Sequence, residues 1–336
     1  IVLASVLTGR LWWKGRGRVD EQSPAERFGT DETILVEDLH FTYPETTEPA
    51  LSGIGFSQRQ GTTRFLMGRT GAGKSTLGLC LNGVIPNLQP GDYSGSVAVC
   101  GIDPAQRPVN QMSEHVGLVF QDFQSQLFCS NVALEVAFSL ENRGVDREIM
   151  RQRVDRWLAE FDIEHLRDRD PATLSGGQKQ RVALAAVMAA EPDVIILDEA
   201  TTDLDPPGQD EVFAACERLA ENDRTMLISS HESQRALRAD SLLALVGGRA
   251  AYEGAPSELL DDPTRCRELG VAAHPLAEIA TALDLPAIPS SVERAEQTLR
   301  EMNARLDVEA FEEATSSRID RSAPIIELEN VSFAYD

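Results

Sequence analysis

The sequence predicts an α/β fold whose central sheet is mainly parallel, and two observations lead to this prediction. Residues 194–197 form an uninterrupted apolar run, and residues 225–230 repeat the same design. A central strand of a parallel sheet is covered on both faces, so it shows such a run instead of an alternation of apolar and polar residues. Strand-like runs also alternate with helix-like segments along the chain, which is typical of α/β proteins.

Further strands are predicted ahead of these two runs. Residues 34–43 alternate only partly between apolar and polar side chains, and this pattern predicts a strand at an antiparallel edge of the sheet. Short apolar runs, several of them bounded by glycine or proline, predict the remaining strands at residues 51–56, 65–67, 95–101 and 116–120.

A helical subdomain of about residues 125–190 is predicted to be inserted between core strands. Apolar residues recur at helical spacing from 131 to 161, and Gly144 separates the two helices expected there. An alanine-rich helix follows at residues 179–190 and is closed by Pro192.

The chain is predicted to contain more than one domain. Residues 326–335 parallel residues 34–43, with Ile, Glu, Phe and Tyr at corresponding places, which indicates that a second copy of the domain begins there. The predicted segments are a leader (1–32), a first domain (33–254), a helical C-terminal extension (255–306) with amphipathic helices at 268–283 and 292–306, a polar linker (307–323), and the first strand of a second, truncated domain (324–336).

Composition excludes some classes of protein. A formal net charge of −23 over 336 residues argues against a nucleic-acid surface, because a phosphate backbone repels such a field. The five cysteines are scattered and form no Cys-x-x-Cys pair, so we expect reduced thiols that fill the core, and neither a disulfide framework nor a zinc site.

The beginning of the sequence resembles the cytoplasmic end of a membrane helix. An apolar run at residues 1–7 is followed by Trp12 and Trp13 and then by basic residues. The hypothesis is that an upstream membrane segment precedes this part of the chain, and the alternative is a loose or artificial leader. Elsewhere no run approaches the roughly 18–20 apolar residues of a membrane span.

Residues 68–76 fit a phosphate-binding loop, which has the pattern Gly, four residues, Gly-Lys-Ser/Thr. An apolar strand precedes the loop and a helix follows it, as the motif requires. Glycines let successive backbone N–H groups turn towards one anion, and the helix N-terminus favours negative charge. The alternative is an accidental glycine-rich turn. The predicted phosphate-binding residues are Gly68, Arg69, Thr70, Gly71, Ala72, Gly73, Lys74, Ser75 and Thr76.

Two further motifs give the loop a context. Residues 174–181 read Leu-Ser-Gly-Gly-Gln-Lys-Gln-Arg, and the apolar run at 194–197 ends in Asp198 and Glu199. With the phosphate-binding loop upstream, the stretch from about 34 to about 300 resembles an ATP-binding-cassette (ABC) ATPase. The resemblance implies the P-loop NTPase fold in its ABC form, ATP and Mg²⁺ as ligands, and hydrolysis of ATP.

The resemblance also implies roles for particular residues. Glu199 would polarise the attacking water, His231 would contact the γ-phosphate, and Gln121 would sense Mg²⁺. Tyr43 would stack on adenine, with a simple strand cap as the alternative. The Mg²⁺ ligands would be Ser75, Gln121 and Asp198. The signature residues would close the ATP site of a second cassette, and they are Leu174, Ser175, Gly176, Gly177 and Gln178. Asp205, in the loop 202–205, would communicate across the dimer of the two cassettes.

Within this family, residues 119–128 and the segment after them resemble the ATPases of energy-coupling-factor importers, although Phe123 stands where a proline is usual. That resemblance implies a location at the cytoplasmic face of the membrane. The implied partners are a second cassette, on the same chain or in a homodimer, a transmembrane scaffold and a substrate-binding membrane component. The substrate would be a vitamin or a transition-metal ion. Phe123, Leu127 and Phe128 are candidates for contact with the scaffold, and core packing is the alternative.

One alternative function is that of an ABC ATPase of another transporter class, and three more distant alternatives are weighed against the sequence. A soluble tandem-cassette ATPase on the ribosome would need a basic linker for RNA, but the glutamates between 293 and 313 outnumber the scattered arginines. A chromosome or repair ATPase would need a long coiled coil between the loop and the signature, and the gap is too short. A protein that only binds ATP is disfavoured because Glu199 and His231 are both present.

Overall fold

The computed structural model describes residues 31–301, except 202–203, 221–222, 286 and 290–291. The predicted leader up to residue 30, the linker and the repeat at 326–335 therefore lie outside the described residues, as do Thr202 and Asp203. The described chain divides into two compact units, one ending at Glu278 and one beginning at Ile279.

Nine strands form two sheets in the described part of the chain. A three-stranded antiparallel sheet has the order β2-β1-β4, and a six-stranded sheet has the order β5-β6-β7-β3-β8-β9, with only β9 antiparallel to its neighbour. The strands are β1 (Glu32–Thr42), β2 (Leu51–Arg59), β3 (Thr63–Met67), β4 (Asp92–Val99), β5 (Val116–Val119), β6 (Val194–Asp198), β7 (Thr225–Ser229), β8 (Ser241–Val246) and β9 (Arg249–Gly254).

Helices fill the connections between these strands. Those of the first part are α1 (Lys74–Leu81), α2 (Val84–Asn87), α3 (Val109–Met112), α4 (Val132–Asn142), α5 (Arg147–Glu160) and α6 (Gly176–Ala189). Those that follow are α7 (Pro206–Ala220), α8 (Ser233–Ala236), α9 (Pro256–Leu260), α10 (Pro263–Leu269), α11 (Pro275–Ala282) and α12 (Val292–Glu301). Among the described helices, none combines the length and the apolar character that crossing a membrane requires.

The parallel sheet is covered on both faces, which confirms the prediction made from its apolar runs. In β6, Ile195 and Leu197 pack into a cluster with α4, α5 and α6, whereas Val194 and Ile196 pack into a second cluster with α1 and the antiparallel sheet. All five residues of β6 are buried. The α/β class with its mainly parallel core and inserted helices is therefore confirmed.

The predicted antiparallel β part is confirmed, but the prediction that residues 34–43 form an edge strand is wrong. Strand β1 is the central strand of the antiparallel sheet, because it pairs with β2 on one side and with β4 on the other. The partial alternation suggested one open side, but it comes from irregular pairing between Val36 and Leu39, and β4 follows about fifty residues later. No local pattern reveals so distant a partner.

The prediction of one helix at residues 268–283 is also wrong. Helix α10 ends at Leu269, and Gly270 follows it with a φ of 68° in the left-handed conformation that terminates helices. The next helix, α11, begins at Pro275. The segment between them, residues 270–274, is called the extension loop below. The two helices predicted around Gly144 are confirmed as α4 and α5.

Candidate active site

The candidate active site lies at the carboxyl ends of four neighbouring parallel strands. The strands β5, β6, β7 and β3 are adjacent in this order, so the segments that follow them meet at one edge of the sheet. Gln121 follows β5, Glu199 follows β6, His231 follows β7 and the phosphate-binding loop follows β3. Ligands of open α/β sheets generally bind at this edge.

Glu199 lies at the centre of a group that also contains Lys74, Gln121 and His231, called here the Glu199 cluster. Its Oε1 lies 3.1 Å from Lys74 Nζ and 3.2 Å from His231 Nε2. Its Oε2 accepts a hydrogen bond of 3.2 Å from Gln121 Nε2. The Glu199 side chain is only 13% exposed, so these interactions are weakly screened by solvent.

The backbone holds Glu199 in an unusual conformation. Its φ is 51°, which is the left-handed region that non-glycine residues rarely adopt. The Glu199 N–H donates a hydrogen bond of 3.0 Å to the carbonyl oxygen of Ser229, at the end of the adjacent strand β7. Such conformations persist where the surrounding structure holds them, and they concentrate at functional sites.

Lys74 begins α1 and is almost completely buried. Its ammonium donates hydrogen bonds to the carbonyl oxygens of Gly68, at 2.9 Å, and of Arg69, at 3.3 Å. The loop therefore curls around the lysine that it carries. These carbonyl oxygens and the Glu199 carboxylate satisfy the buried ammonium, and the same ammonium can attract a phosphate at the mouth of the loop.

Two glycines shape the loop in different ways. Both Gly71 and Gly73 have positive φ values, 81° and 103°. A Cβ at Gly73 would lie 2.6 Å from the carbonyl oxygen of Ala50, whereas a Cβ at Gly71 would meet no atom within 4 Å. Gly73 therefore packs closely against the protein, and Gly71 borders an open cradle that a phosphate group fits.

Asp198 and Ser75 supply oxygen donors beside this cradle. Asp198 ends β6 and is 5% exposed, and burial raises the pKa of its carboxyl group; the hydroxyl of Ser75 and the ammonium of Lys74 act in the opposite direction. With the amide oxygen of Gln121, these groups are the hard oxygen ligands that Mg²⁺ prefers. The donor set therefore fits a magnesium ion bound together with phosphates.

Tyr43 lies beside the end of the phosphate-binding loop. Its hydroxyl group is 3.1 Å from Thr76 Oγ1, and its ring meets the ring of Phe41 edge to face, with the centroids 4.8 Å apart. These contacts hold the half-buried ring near α1. Its predicted stacking on adenine stays a prediction.

The signature segment belongs to a different group of elements. Ser175 caps α6, its Oγ accepts a hydrogen bond from the Gln178 N–H, and Gln178 Oε1 accepts one from the Ser175 N–H. Ser175 and Gly176 are exposed while Leu174 is buried. The exposed first turn of α6 leaves backbone N–H groups available to an anion from outside this domain.

Two residues that the sequence analysis did not single out connect α6 with the segment after Glu199. Gln180 is buried and donates a hydrogen bond to the carbonyl oxygen of Ala200. Arg181 pairs with Glu211 at 2.5 Å, and it lies 4.0 Å from Asp205, which accepts a hydrogen bond from an N–H near the start of α7. Both follow the signature directly in sequence, but only the long-range contacts reveal what they do.

The extension loop touches the site at two places. The Ser233 hydroxyl, two residues beyond His231, donates a buried hydrogen bond of 2.9 Å to the carbonyl oxygen of Ala273. A Cβ on Gly270 would lie 2.3 Å from Arg69 Nε, so the side chain of Arg69 runs directly over Gly270. The extension loop thus contacts both the phosphate-binding loop and the segment that carries His231.

An apolar patch lies on the helical subdomain. It consists of Phe128, Leu134 and Phe138, which are 51%, 42% and 39% exposed, and the two phenylalanine rings meet edge to face at 4.6 Å. Phe123 was a candidate for partner contact, but it is 2% exposed and packs in the core, so that expectation is wrong. Leu127 packs partly against the same core.

Comparison with known proteins agrees with this architecture. Residues 51–202 match the ABC transporter family. The energy-coupling factor transporter ATP-binding protein EcfA1 of Levilactobacillus brevis is 38% identical over 72% of this chain and 85% of its own length. EcfA1 of Bacillus subtilis is 40% identical over 68% of this chain and 80% of its own length. An ABC transporter ATP-binding protein of Caldanaerobacter subterraneus is 38% identical over 91% of this chain, which spans 55% of that protein.

Solved structures give the same result. The structure of cbiO1 from Clostridium perfringens, described as part of the ABC transporter complex cbiONQ, matches with a TM-score of 0.61, 32% identity, and coverage of 76% of this chain and 99% of its own. A dimeric post-hydrolysis state of the ATP-binding cassette MJ0796, bound to ADP and Pi, matches with a TM-score of 0.60 at 25% identity, over 66% and 98%. The predicted resemblance is confirmed, and this chain belongs to the ABC transporter family of ATP-binding cassettes.

Proposed function

We propose that this chain is the ATP-hydrolysing cassette of an energy-coupling-factor type importer for a vitamin or a transition-metal ion. The observation that carries the proposal is the Glu199 cluster. In it the carboxylate of Glu199 lies within 3.2 Å of an ammonium, an imidazole and an amide, beside the phosphate-binding loop. Its relatives named as energy-coupling factor ATPases support the transporter class.

In this proposal the residues 68–76 bind the phosphates of ATP. The loop's N–H groups surround the β-phosphate, and the Lys74 ammonium attracts the β- and γ-phosphates. Ser75, Gln121 and Asp198 would hold Mg²⁺, which neutralises charge that develops on the phosphate oxygens. Tyr43 supplies a ring for stacking on adenine beside Thr76.

Glu199 accepts a proton from the water that attacks the γ-phosphorus. The new P–O bond forms as the bond to the β-γ bridging oxygen breaks, and ADP leaves with that electron pair. His231 lies 3.2 Å from the same carboxylate, so it can hold Glu199 and reach the γ-phosphate from the next strand end. Catalysis of this kind depends mainly on positioning and on charge stabilisation.

A second cassette completes the ATP site. Ser175 and Gly176 are exposed at the first turn of α6, where N–H groups and the helix dipole favour a phosphate. Asp205 lies in the segment that Gln180 and Arg181 connect to α6, so a contact across the dimer would be transmitted towards Glu199. A dimeric assembly is described for the MJ0796 cassette, which supports this arrangement.

The apolar patch is the proposed contact with the transmembrane scaffold. The backbone of Phe128 is held by Glu135, whose Oε2 accepts hydrogen bonds from the N–H groups of Phe128, at 2.9 Å, and Cys129, at 2.7 Å. This support holds the exposed rings in a defined position, as docking of an apolar helix requires. The cassette would then lie at the cytoplasmic face of the membrane.

The test is a pull-down of the full-length gene product from membranes solubilised in detergent. We expect integral membrane proteins to co-purify and ATP hydrolysis to accompany them. The double variant Phe128→Ala/Phe138→Ala should lose the membrane proteins and keep ATP binding. The matched control is Ile149→Ala, which removes an apolar side chain that is 47% exposed on α5, and it should behave as wild type. Cosedimentation with ribosomes and no membrane partner would overturn the proposal.

A further inference from the structure

A second group of reactive side chains lies at the opposite edge of the parallel sheet. Cys100 follows β4, His115 precedes β5 and Asp193 precedes β6. One ligand atom of each, a thiol sulfur, an imidazole nitrogen and a carboxylate oxygen, lies within 4.8 Å of the other two. Strand β6 separates this group from Glu199, which at about 3.3 Å per residue corresponds to roughly 17 Å.

We propose that Cys100, His115 and Asp193 form a zinc site with a water molecule as the fourth ligand. Thiolate, imidazole and carboxylate are the three donor types that Zn²⁺ takes in proteins. Two anionic ligands would balance the charge of the ion. The scattered cysteines of the sequence argued against a zinc site, but that argument considered only spacing along the chain, and the fold brings these three residues together from distant positions.

The backbone already holds the three residues in place. The Cys100 N–H donates to the carbonyl oxygen of Thr33 at 2.8 Å. The carbonyl oxygens of His115 and Asp193 accept hydrogen bonds from the first residues of β6 and β7, at 2.8 Å and 2.9 Å. Each ligand therefore projects from the end of a paired strand, and binding would require mainly side-chain rotation.

The contacts of Asp193 suit a metal ligand. Its Oδ1 accepts a hydrogen bond of 2.9 Å from Arg224 Nη1, which fixes the plane of the carboxylate, as outer partners of metal ligands do. Its Oδ2 lies 2.8 Å from His115 Nδ1. A Zn²⁺ ion bound to both atoms would hold them roughly 3.3–3.7 Å apart, given bonds of about 2.0–2.3 Å.

The backbone at Cys100 is unusual for a residue that only fills the core. Its φ is 52°, a conformation in which glycine would cost less. A metal ion would bind its sulfur as the thiolate, together with the imidazole and the carboxylate beside it.

The zinc ion would connect two layers of the fold. Cys100 directly follows β4 of the antiparallel sheet, whereas His115 and Asp193 directly precede β5 and β6 of the parallel sheet. A bond between the two would stabilise their junction without contact with the Glu199 cluster. This inference is independent of the proposed function, because an ABC ATPase of any kind could carry the site.

The experiment is a titration of the tag-free, metal-stripped chain with Co²⁺, followed by competition with Zn²⁺. We expect one Co²⁺ per chain with thiolate-to-cobalt charge-transfer absorption, displaced by one Zn²⁺. Cys100→Gly removes the thiol and accepts the positive φ without strain, and it should abolish the absorption. His115→Gln should weaken Zn²⁺ binding at least tenfold.

The matched control is Cys129→Ser, because Cys129 contacts Glu135 through its backbone N–H and lies outside the group. This variant should bind Co²⁺ with the same absorption as wild type. Zinc should also raise the melting temperature of wild type and leave that of Cys100→Gly unchanged. Absence of thiolate absorption in folded wild type, or its persistence in folded Cys100→Gly, would overturn the proposal.

Discussion

Replacement of Glu199 by glutamine is the most direct test of the site. The change keeps the shape of the side chain and removes its charge. It also removes the acceptor of the proton from the attacking water, and general-base catalysis contributes about 10²–10⁴ in rate, or about 3–5 kcal/mol of barrier. We therefore expect the turnover number of Glu199→Gln to fall by about that factor, measured as phosphate release at saturating Mg-ATP.

The same substitution should strengthen ATP binding. In the structure Glu199 pairs with Lys74 at 3.1 Å, and the two side chains are only 13% and 4% exposed. The phosphates of ATP compete with this carboxylate for Lys74 and are repelled by it. Glutamine removes both effects, while Lys74 keeps its bonds to the carbonyl oxygens of Gly68 and Arg69. We expect the Kd for ATP to fall by up to about tenfold, or about 1.4 kcal/mol.

The matched control is Glu191→Gln. Glu191 also has a positive φ, 47°, and its carboxylate pairs with Arg153 at 3.2 Å and Arg156 at 3.4 Å. The same chemical change at this position should leave turnover and ATP affinity within a factor of about two, since surface ion pairs contribute little. Near-wild-type turnover of Glu199→Gln, or a loss of ATP binding in that folded variant, would refute the reasoning.

Three further predictions concern neighbouring residues. Gly73→Ala should lower the free energy of unfolding by about 1–3 kcal/mol more than Gly71→Ala, because only its Cβ meets a backbone oxygen, at 2.6 Å; equal melting temperatures would contradict this. Asp198→Asn should abolish hydrolysis yet raise the melting temperature at pH 7. Burial raises the pKa of the Asp198 carboxyl, so its ionised form destabilises the wild-type fold above that raised pKa. The difference in melting temperature between the variant and wild type should therefore shrink as the pH falls through the raised pKa; a difference that does not change with pH would exclude this cause. Ser233→Ala removes the hydrogen bond to Ala273 and should lower the turnover number severalfold with little change in ATP affinity, as rapid-quench and binding assays would show; an unchanged turnover number would refute it.

The sequence was sufficient to predict those parts of the site whose geometry is set by residues adjacent along the chain. The phosphate-binding loop, the acidic pair at the end of β6 and the cap of α6 are each contiguous, and the conformation that their residues require follows from a few neighbours. Gln121 and His231 carry no such local signal, and their roles are predicted only by the resemblance of the whole stretch to ABC ATPases.

The sequence was not sufficient to predict strand pairing and side-chain contacts between residues that are far apart along the chain. The central place of β1 depends on a partner about fifty residues away, and the contact of Glu199 with Lys74 spans more than a hundred. Burial of Phe123 depends on the packing of the helical subdomain, which its aromatic neighbours do not reveal. The group of Cys100, His115 and Asp193 is a further example, because no spacing rule connects the three.

The extension loop has a consequence for control of the enzyme. Through Gly270 it contacts the side chain of Arg69 at one end of the phosphate site, and through Ala273 it holds Ser233 near His231 at the other. A displacement of these five residues would therefore alter ground-state binding and the hydrolytic step together. A ligand that shifted α10 and the extension loop would therefore change ATP binding and turnover without any contact with the nucleotide.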